Sequence, residues 1–253
     1  MKKLKNKTVI ITGGTKGIGA AIAKEFYAAG YHVVVGSRKD NGLAKRLGQR
    51  AKFCPMDVRE EEGHQALVKM AIQWTKQLDV YINCAGFSSW RPVKEIDELF
   101  WDEMIDTNLK GTFWGCKIAS TKLKKGGSII NISSLAGRRG SANNSVYCAS
   151  KFGVTGLTQA LAKELGPSGI RVNAICPVYV QTKGLLDALD NNQSPTQGKN
   201  TQKYLKDFAA QQAALKRLPL GREVAQTCLF FASDEASAIT GQSLNVDCGV
   251  LPQ

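Results

Sequence analysis

The chain has 253 residues, 43% of them hydrophobic, and a formal net charge of +13. That length suits one α/β domain with a sizeable core, and no apolar run nears the roughly 18 residues that cross a bilayer. Two histidines and seven scattered cysteines without a CxxC pair leave a Ser-His-Asp triad, a metal centre and a disulfide framework poorly supplied. Unpaired thiols of this kind predict a cytoplasmic protein, and no metal is expected.

The basic start, MKKLKNKTVIITGG, carries too short an apolar stretch for a signal peptide and reads as a first strand. Short, β-branched apolar runs follow at 8–12, 32–36, 51–56, 79–83, 128–133, 171–175 and 243–246. Runs apolar at every position suit parallel strands covered on both faces. The segments between them are long enough for crossover helices. The alternation predicts an α/β fold: a Rossmann-type doubly wound parallel sheet of about seven strands with helices on both faces. No composition shift marks a boundary, so 1–253 is read as a single domain.

The first strand runs into TGGTKGIG (12–19) and then a helix-like stretch. Gly13 permits the tight turn, Gly17 lets the backbone approach a pyrophosphate, and Gly19 lets helix pack on strand. Thr15, Lys16 and Ile18 complete the turn, and free amides at the helix start face phosphates. An NAD site would carry a carboxylate at the end of the second strand. Here Ser37 is followed by Arg38 and Lys39, so NADP(H) is favoured over NAD(H). Asp40 lies too far along the loop.

Charge is unevenly spread: residues 1–52 hold 12 Lys/Arg against 2 Asp/Glu, and residues 107–183 hold 11 against 1. Such blocks attract anions. With no nucleic-acid-binding motif, a phosphate-bearing cofactor or an acidic partner is expected, not nucleic acid or a membrane.

Helix periodicity at 103–124 puts Ile105, Leu109, Phe113, Cys116 and Leu123 on one stripe, with polar Asn108 beside it. Residues 224–232 read as another amphipathic helix. VYCASK (146–151) sets Tyr147 and Lys151 four apart on a helix face, where an ammonium would favour the phenolate. The polar, turn-rich 183–217 reads as a substrate lid or a disordered insertion. Arg91, Arg138 and Arg139 fall in loops expected near the open end of the site.

These motifs, in this order, resemble the short-chain dehydrogenase/reductase family over nearly the whole chain, and are similar to its 3-oxoacyl-acyl-carrier-protein reductases. The glycine motif is joined by MDV (Asp57, Val58), NCAG (Asn83, Ala85, Gly86), TNLKG (Asn108), NISSLAG (Ser134), YCASK, and CPVYVQT (Pro177, Val180, Thr182). The resemblance implies hydride transfer between a nicotinamide cofactor and a carbonyl or secondary alcohol. Asp57 would meet the adenine edge, and Asn83, Ala85 and Gly86 the adenosine ribose. Pro177, Val180 and Thr182 would close over the nicotinamide. Tyr147 would be acid and base, Lys151 would hold the nicotinamide ribose, Ser134 the substrate oxygen, and Asn108 a water relay. A small carbonyl substrate follows, carried on an acidic protein or free as a sugar, polyol or simple alcohol; a non-catalytic dinucleotide-binding regulator is the remaining reading. A homo-oligomer, dimer or tetramer, is implied. Three positions depart from the pattern: Cys84, Val178 and Cys248 stand where Asn, Gly and Gly are usual.

Overall fold

The computed structural model describes residues 7–252; the basic residues 1–6 lie outside the described part. Seven strands, β1 (Thr8–Thr12), β2 (His32–Ser37), β3 (Ala51–Pro55), β4 (Val80–Asn83), β5 (Ser128–Ile132), β6 (Arg171–Pro177) and β7 (Ser243–Val246), form one sheet in the order β3-β2-β1-β4-β5-β6-β7. All neighbours pair in parallel. The order reverses between β1 and β4, the place where open α/β sheets present a crevice at their C-terminal edge.

Strand alternation splits the core in two. Val9, Ile11, Val33 and Val35 pack with Ile22 and Phe26 of α1 (Gly17–Ala28) and Val224 and Phe231 of α9 (Gly221–Ala232). Ile10, Val34, Tyr81 and Ile129 face the other way, onto Leu67 of α3 (Glu61–Thr75), Cys116 of α5 (Gly111–Ser120) and Ala162 of α6 (Ser145–Leu165). A short α2 (Leu43–Leu47) links β2 to β3.

The 103–124 stripe is corrected. Asp97 caps α4 (Glu98–Ile105) by accepting from the Phe100 N–H at 2.8 Å, and a π-helical turn, Asp106–Lys110, separates α4 from α5. The wider turn rotates the helix, so Met104, Asn108, Gly111, Thr112, Gly115 and Cys116 face inward while Phe113 is exposed. A strict 3.6-residue count cannot register that added residue.

Segment 183–217 is ordered. Thr182 caps α7 (Lys183–Leu189), and Asn200 caps α8 (Thr201–Gln212). Between them the Ser194 and Thr196 hydroxyls both donate to the Leu189 carbonyl at 2.7 Å. Leu189, Leu205, Ala209 and Leu218 bury themselves against Trp90. No described helix is long and apolar enough to cross a membrane.

Candidate active site

A cleft of about 510 Å³ opens at the C-terminal edge of the sheet. Gly13 sits at its floor with φ of +66°, and a Cβ there would fall 2.8 Å from Ala85 Cα, so a side chain is excluded on both counts. Its N–H donates to the Gly36 carbonyl at 2.7 Å, tying the turn to β2. A Cβ at Gly19 would collide with the Gly13 carbonyl.

At the end of β2, Ser37 and the exposed Arg38 and Lys16 line the cleft. Thr15 stands behind them, donating its hydroxyl to Ser37 Oγ at 3.2 Å. Asp40 instead turns back to accept from the Gly42 N–H at 2.8 Å. Asp57 is clamped by Arg59, whose Nη2 donates at 2.7 Å; that hydrogen bond leads in holding the carboxyl below its usual range.

Of the residues the sequence nominated, Gly13, Lys16, Gly17, Ile18, Gly19, Ser37, Arg38, Asp57, Val58, Ala85, Gly86, Ser134, Tyr147, Lys151, Pro177, Val180 and Thr182 line one cleft. Thr15, Asn83 and Asn108 do not. Asn83 faces away from it. Its Nδ2 donates to Asn131 Oδ1 at 2.9 Å, and Asn131 Nδ2 donates to Thr158 Oγ1 at 3.0 Å. One residue further along the strand, Cys84 faces the core built on α1 and α9 and reaches the cleft wall.

Asn108, fully buried, ties its amide to Phe87: Oδ1 accepts from the Phe87 N–H at 3.0 Å and Nδ2 donates to the Phe87 carbonyl at 2.9 Å. A Cβ at Gly86 would lie 2.8 Å from that Oδ1. Asn108 therefore fixes the loop that forms the cleft's edge.

Ser133 is spent on the helix, donating to the Lys151 carbonyl at 3.0 Å, which leaves Ser134 for the cleft. Lys151 Nζ donates to the Ile132 carbonyl at 3.0 Å and lies 5.8 Å from the centre of the Tyr147 ring. Burial pulls the Lys151 ammonium down to about 8. Burial pushes the Tyr147 phenol up, and a hydrogen bond with Ser134 opposes it. Without a cofactor, desolvation is the largest influence on the phenol, and Lys151 Nζ is directed at the Ile132 carbonyl.

The loop replacements resolve separately. Val178 is not among the described residues with positive φ, and its N–H donates to the Val246 carbonyl at 3.4 Å, so no glycine conformation is needed there. Cys248 does adopt one, with φ of +57°. Thr182 Oγ1 is engaged in capping α7, accepting from the Leu185 N–H at 3.2 Å. Of the three loop arginines, Arg139 lines the cleft and Arg91 pairs with Asp97 at 3.0 Å.

Sequence reading missed the far wall: Trp90, Asn144, Tyr179, Leu185 and Phe208. Tyr179 meets Phe208 edge to face, with ring centres 5.0 Å apart. Long-range packing brings these residues together, and no local motif encodes it.

The cradle fits a dinucleotide. It has a helix N-terminus opened by Gly17 and Gly19, cations and a hydroxyl at the end of β2, and no carboxylate there. A family model described as enoyl-(acyl carrier protein) reductase matches residues 13–251. A 3-oxoacyl-acyl-carrier-protein reductase of Chlamydia muridarum is 35% identical over 98% of both chains. A counterpart in Staphylococcus epidermidis is 33% identical over 97% of this chain and 99% of that one. Among solved structures, an actinorhodin polyketide ketoreductase variant with NADPH has a TM-score of 0.87 at 31% identity, covering 96% and 97% of the two chains. A Brucella melitensis structure described as a glucose/ribitol dehydrogenase has a TM-score of 0.90 at 30% identity, covering 99% of each.

Proposed function

The chain belongs to the short-chain dehydrogenase/reductase family, and on that premise we propose that it is an NADPH-dependent reductase of 3-oxoacyl thioesters. The observation that carries the reading is the convergence of Ser134, Tyr147 and Lys151 on the cleft that begins at the glycine turn. A bound nicotinamide dinucleotide supplies the hydride. Ser134 holds the substrate oxygen, and Tyr147 gives it the proton as general acid, or takes it in the reverse direction. A buried, protonated phenol suits the reductive direction, since it carries the proton that the developing alkoxide needs.

Lys151 binds the nicotinamide ribose, and Asn108, through its place beside Gly86, keeps a water path to Lys151. Lys16, Ser37 and Arg38 take the 2′-phosphate, with Arg38 as the bidentate donor. Val180 and Thr182, which line the cleft, would hold the nicotinamide, and 183–217 would close as a lid. The exposed Lys122, Lys124 and Lys125 suit an acidic carrier protein. The seven free thiols support a reducing, cytoplasmic setting. Exposed Leu99, Trp101, Phe113 and Phe152 support a dimer or tetramer.

The test follows NADPH and NADH absorbance with an acetoacetyl thioester, a keto sugar and a small ketone. Fastest turnover of the thioester with NADPH is expected; preference for the keto sugar would sink the substrate assignment. Arg38→Ala should weaken NADPH roughly 10- to 100-fold, the worth of a charge-assisted hydrogen bond, and leave NADH unaffected.

A further inference from the structure

His32 and His64 are the chain's two histidines, and the proposed reaction uses neither. His64, on the first turn of α3, is fully buried. Its Nε2 lies 2.9 Å from the Val58 carbonyl, and its Nδ1 lies 2.7 Å from the hydroxyl of Tyr81 on β4. A carbonyl oxygen accepts and cannot donate, so Nε2 carries the proton. Burial pulls the imidazole's pKa down, so the ring is neutral at pH 7. Nδ1 is then an acceptor, and the Tyr81 hydroxyl donates to it. The bonds form a directed chain, from Tyr81 O–H through His64 to the Val58 carbonyl.

That chain ends at the cleft wall. Met56, Asp57 and Val58 line the cleft as one strip of backbone. The Met56 N–H ties the strip to the Ser37 carbonyl at 3.0 Å. Among the described residues, the bond from His64 is the sole hydrogen bond of the Val58 backbone. The Val58 carbonyl and the Arg59 N–H belong to one planar peptide, and that N–H donates to Asp57 Oδ1 at 3.0 Å. Fixing the carbonyl therefore fixes the donor that orients the Asp57 carboxylate. The surroundings are close: a Cβ at Gly63 would lie 2.8 Å from the Asp57 carbonyl, and one at Gly111 would lie 2.9 Å from the Val58 carbonyl. A residue without a donor at position 64 leaves a buried carbonyl unpaired, and the peptide must rotate to relieve it.

We propose that His64 is a positioning residue for the adenosine end of the cofactor: bonded by Tyr81, its imidazole sets the peptide plane that holds Asp57 and Val58 at the cleft wall. The inference rests on the NADPH reading above. That reading puts the 2′-phosphate at Ser37, and so the adenosine beside Met56, whose N–H bonds the Ser37 carbonyl. His64 acts through Val58 and touches no ligand itself.

Calorimetry with 2′,5′-ADP, the adenosine half of the cofactor, tests this on the full-length protein without any turnover. His64→Leu, of similar volume and without a donor, should weaken binding roughly tenfold, the worth of one hydrogen bond. His64→Gln, whose amide nitrogen can take the place of Nε2, should stay within about threefold of wild type. A merely structural role would lower the melting temperature of both variants and leave the affinity of the folded protein unmoved. Wild-type affinity in His64→Leu, or an equal loss in His64→Gln, overturns the inference alone. A wild type that binds no 2′,5′-ADP defeats the NADPH reading, and the inference with it.

Imidazole 15N resonances of the untagged wild type give a second measurement that no substitution can spoil. The buried imidazole should show the Nε2–H tautomer with a slowly exchanging proton, and its Nε2 signal should shift when 2′,5′-ADP is added. An Nδ1–H tautomer, or a signal indifferent to 2′,5′-ADP in a protein that binds it, overturns the inference.

Discussion

Two buried polar clusters sit side by side across β4, β5 and α6, and only one of them opens on the cleft. The closed cluster joins Asn83, Cys116, Asn131 and Thr158 by hydrogen bonds between side chains. The open cluster joins Ser134, Tyr147 and Lys151 at the cleft. Both are polar islands in an apolar sheet. In the closed cluster nearly every donor meets a side-chain acceptor, and nothing reaches the cleft. In the open one Lys151 must use a backbone carbonyl, and burial shifts both Lys151 and Tyr147 away from their ordinary ionisation. Groups shifted in that way by desolvation in a cleft are characteristic of reactive sites. Satisfaction does not separate them, since Asn83 Oδ1 in the closed cluster has no partner; what sets the open cluster apart is its place at the cleft and the shift that burial imposes on Lys151 and Tyr147.

The contrast makes the two clusters respond oppositely to substitution. The largest effect should come from Tyr147→Phe, which removes one oxygen from the open cluster. It should lower kcat roughly 10²- to 10⁴-fold while NADPH affinity and melting temperature stay near wild type. Retained turnover would break the assignment of the proton to Tyr147.

Lys151 comes next, and its prediction is signed by pH. Its folded pKa of about 8 lies below the ordinary 10.5, so between those values the unfolded chain binds more protons and stability rises with pH. The cost of the buried ammonium is fully present below pH 8 and is relieved above 10.5. Lys151→Met in the cofactor-free protein should therefore gain about 2–3 kcal/mol in urea unfolding at pH 7. The gain should vanish towards pH 10.5, and a constant gain would contradict the burial argument.

Which cluster a motif residue joins was only partly legible in the sequence. The seven strands were readable because β-branched runs covered on both faces leave a local signature, and the glycine turn because backbone geometry admits few residues there. Tyr147, Lys151 and Ser134 were readable through their order and spacing. Asn83 was not: it and Cys84 share one motif, and strand alternation sends their side chains to opposite faces. Asn108 was found as a polar residue near a stripe, yet the stripe itself was misread because the π-turn shifts the helix by one residue. Trp90, Asn144 and Phe208 carry no motif. They reach the cleft through packing between loops distant in sequence, which local periodicity does not encode.

Asn83→Ala sharpens the comparison from the closed side. It leaves Asn131 Oδ1 without its Asn83 donor, at a cost of about 1–3 kcal/mol in urea unfolding. NADPH affinity should not change, because Asn83 does not line the cleft. Lost affinity with unchanged stability would place Asn83 in the open cluster after all.

The smallest effect lies outside both clusters and serves as their control. Cys248 holds a left-handed backbone that suits glycine, with φ of +57°. The chain keeps it there because Asp247 accepts from the Gly249 and Leu251 N–H groups at 2.9 and 2.8 Å, and the Cys248 carbonyl accepts from the Leu215 N–H at 3.1 Å. Those bonds all belong to the backbone or to Asp247, so the thiol contributes to none of them. Cys248→Gly relieves about 1–2 kcal/mol of left-handed strain, and glycine's greater freedom when unfolded returns part of it. A net gain of about 0.5–1 kcal/mol is expected, with kcat and NADPH affinity unmoved. A loss of stability would mean that the thiol's packing against Leu135 and Val250 outweighs the strain.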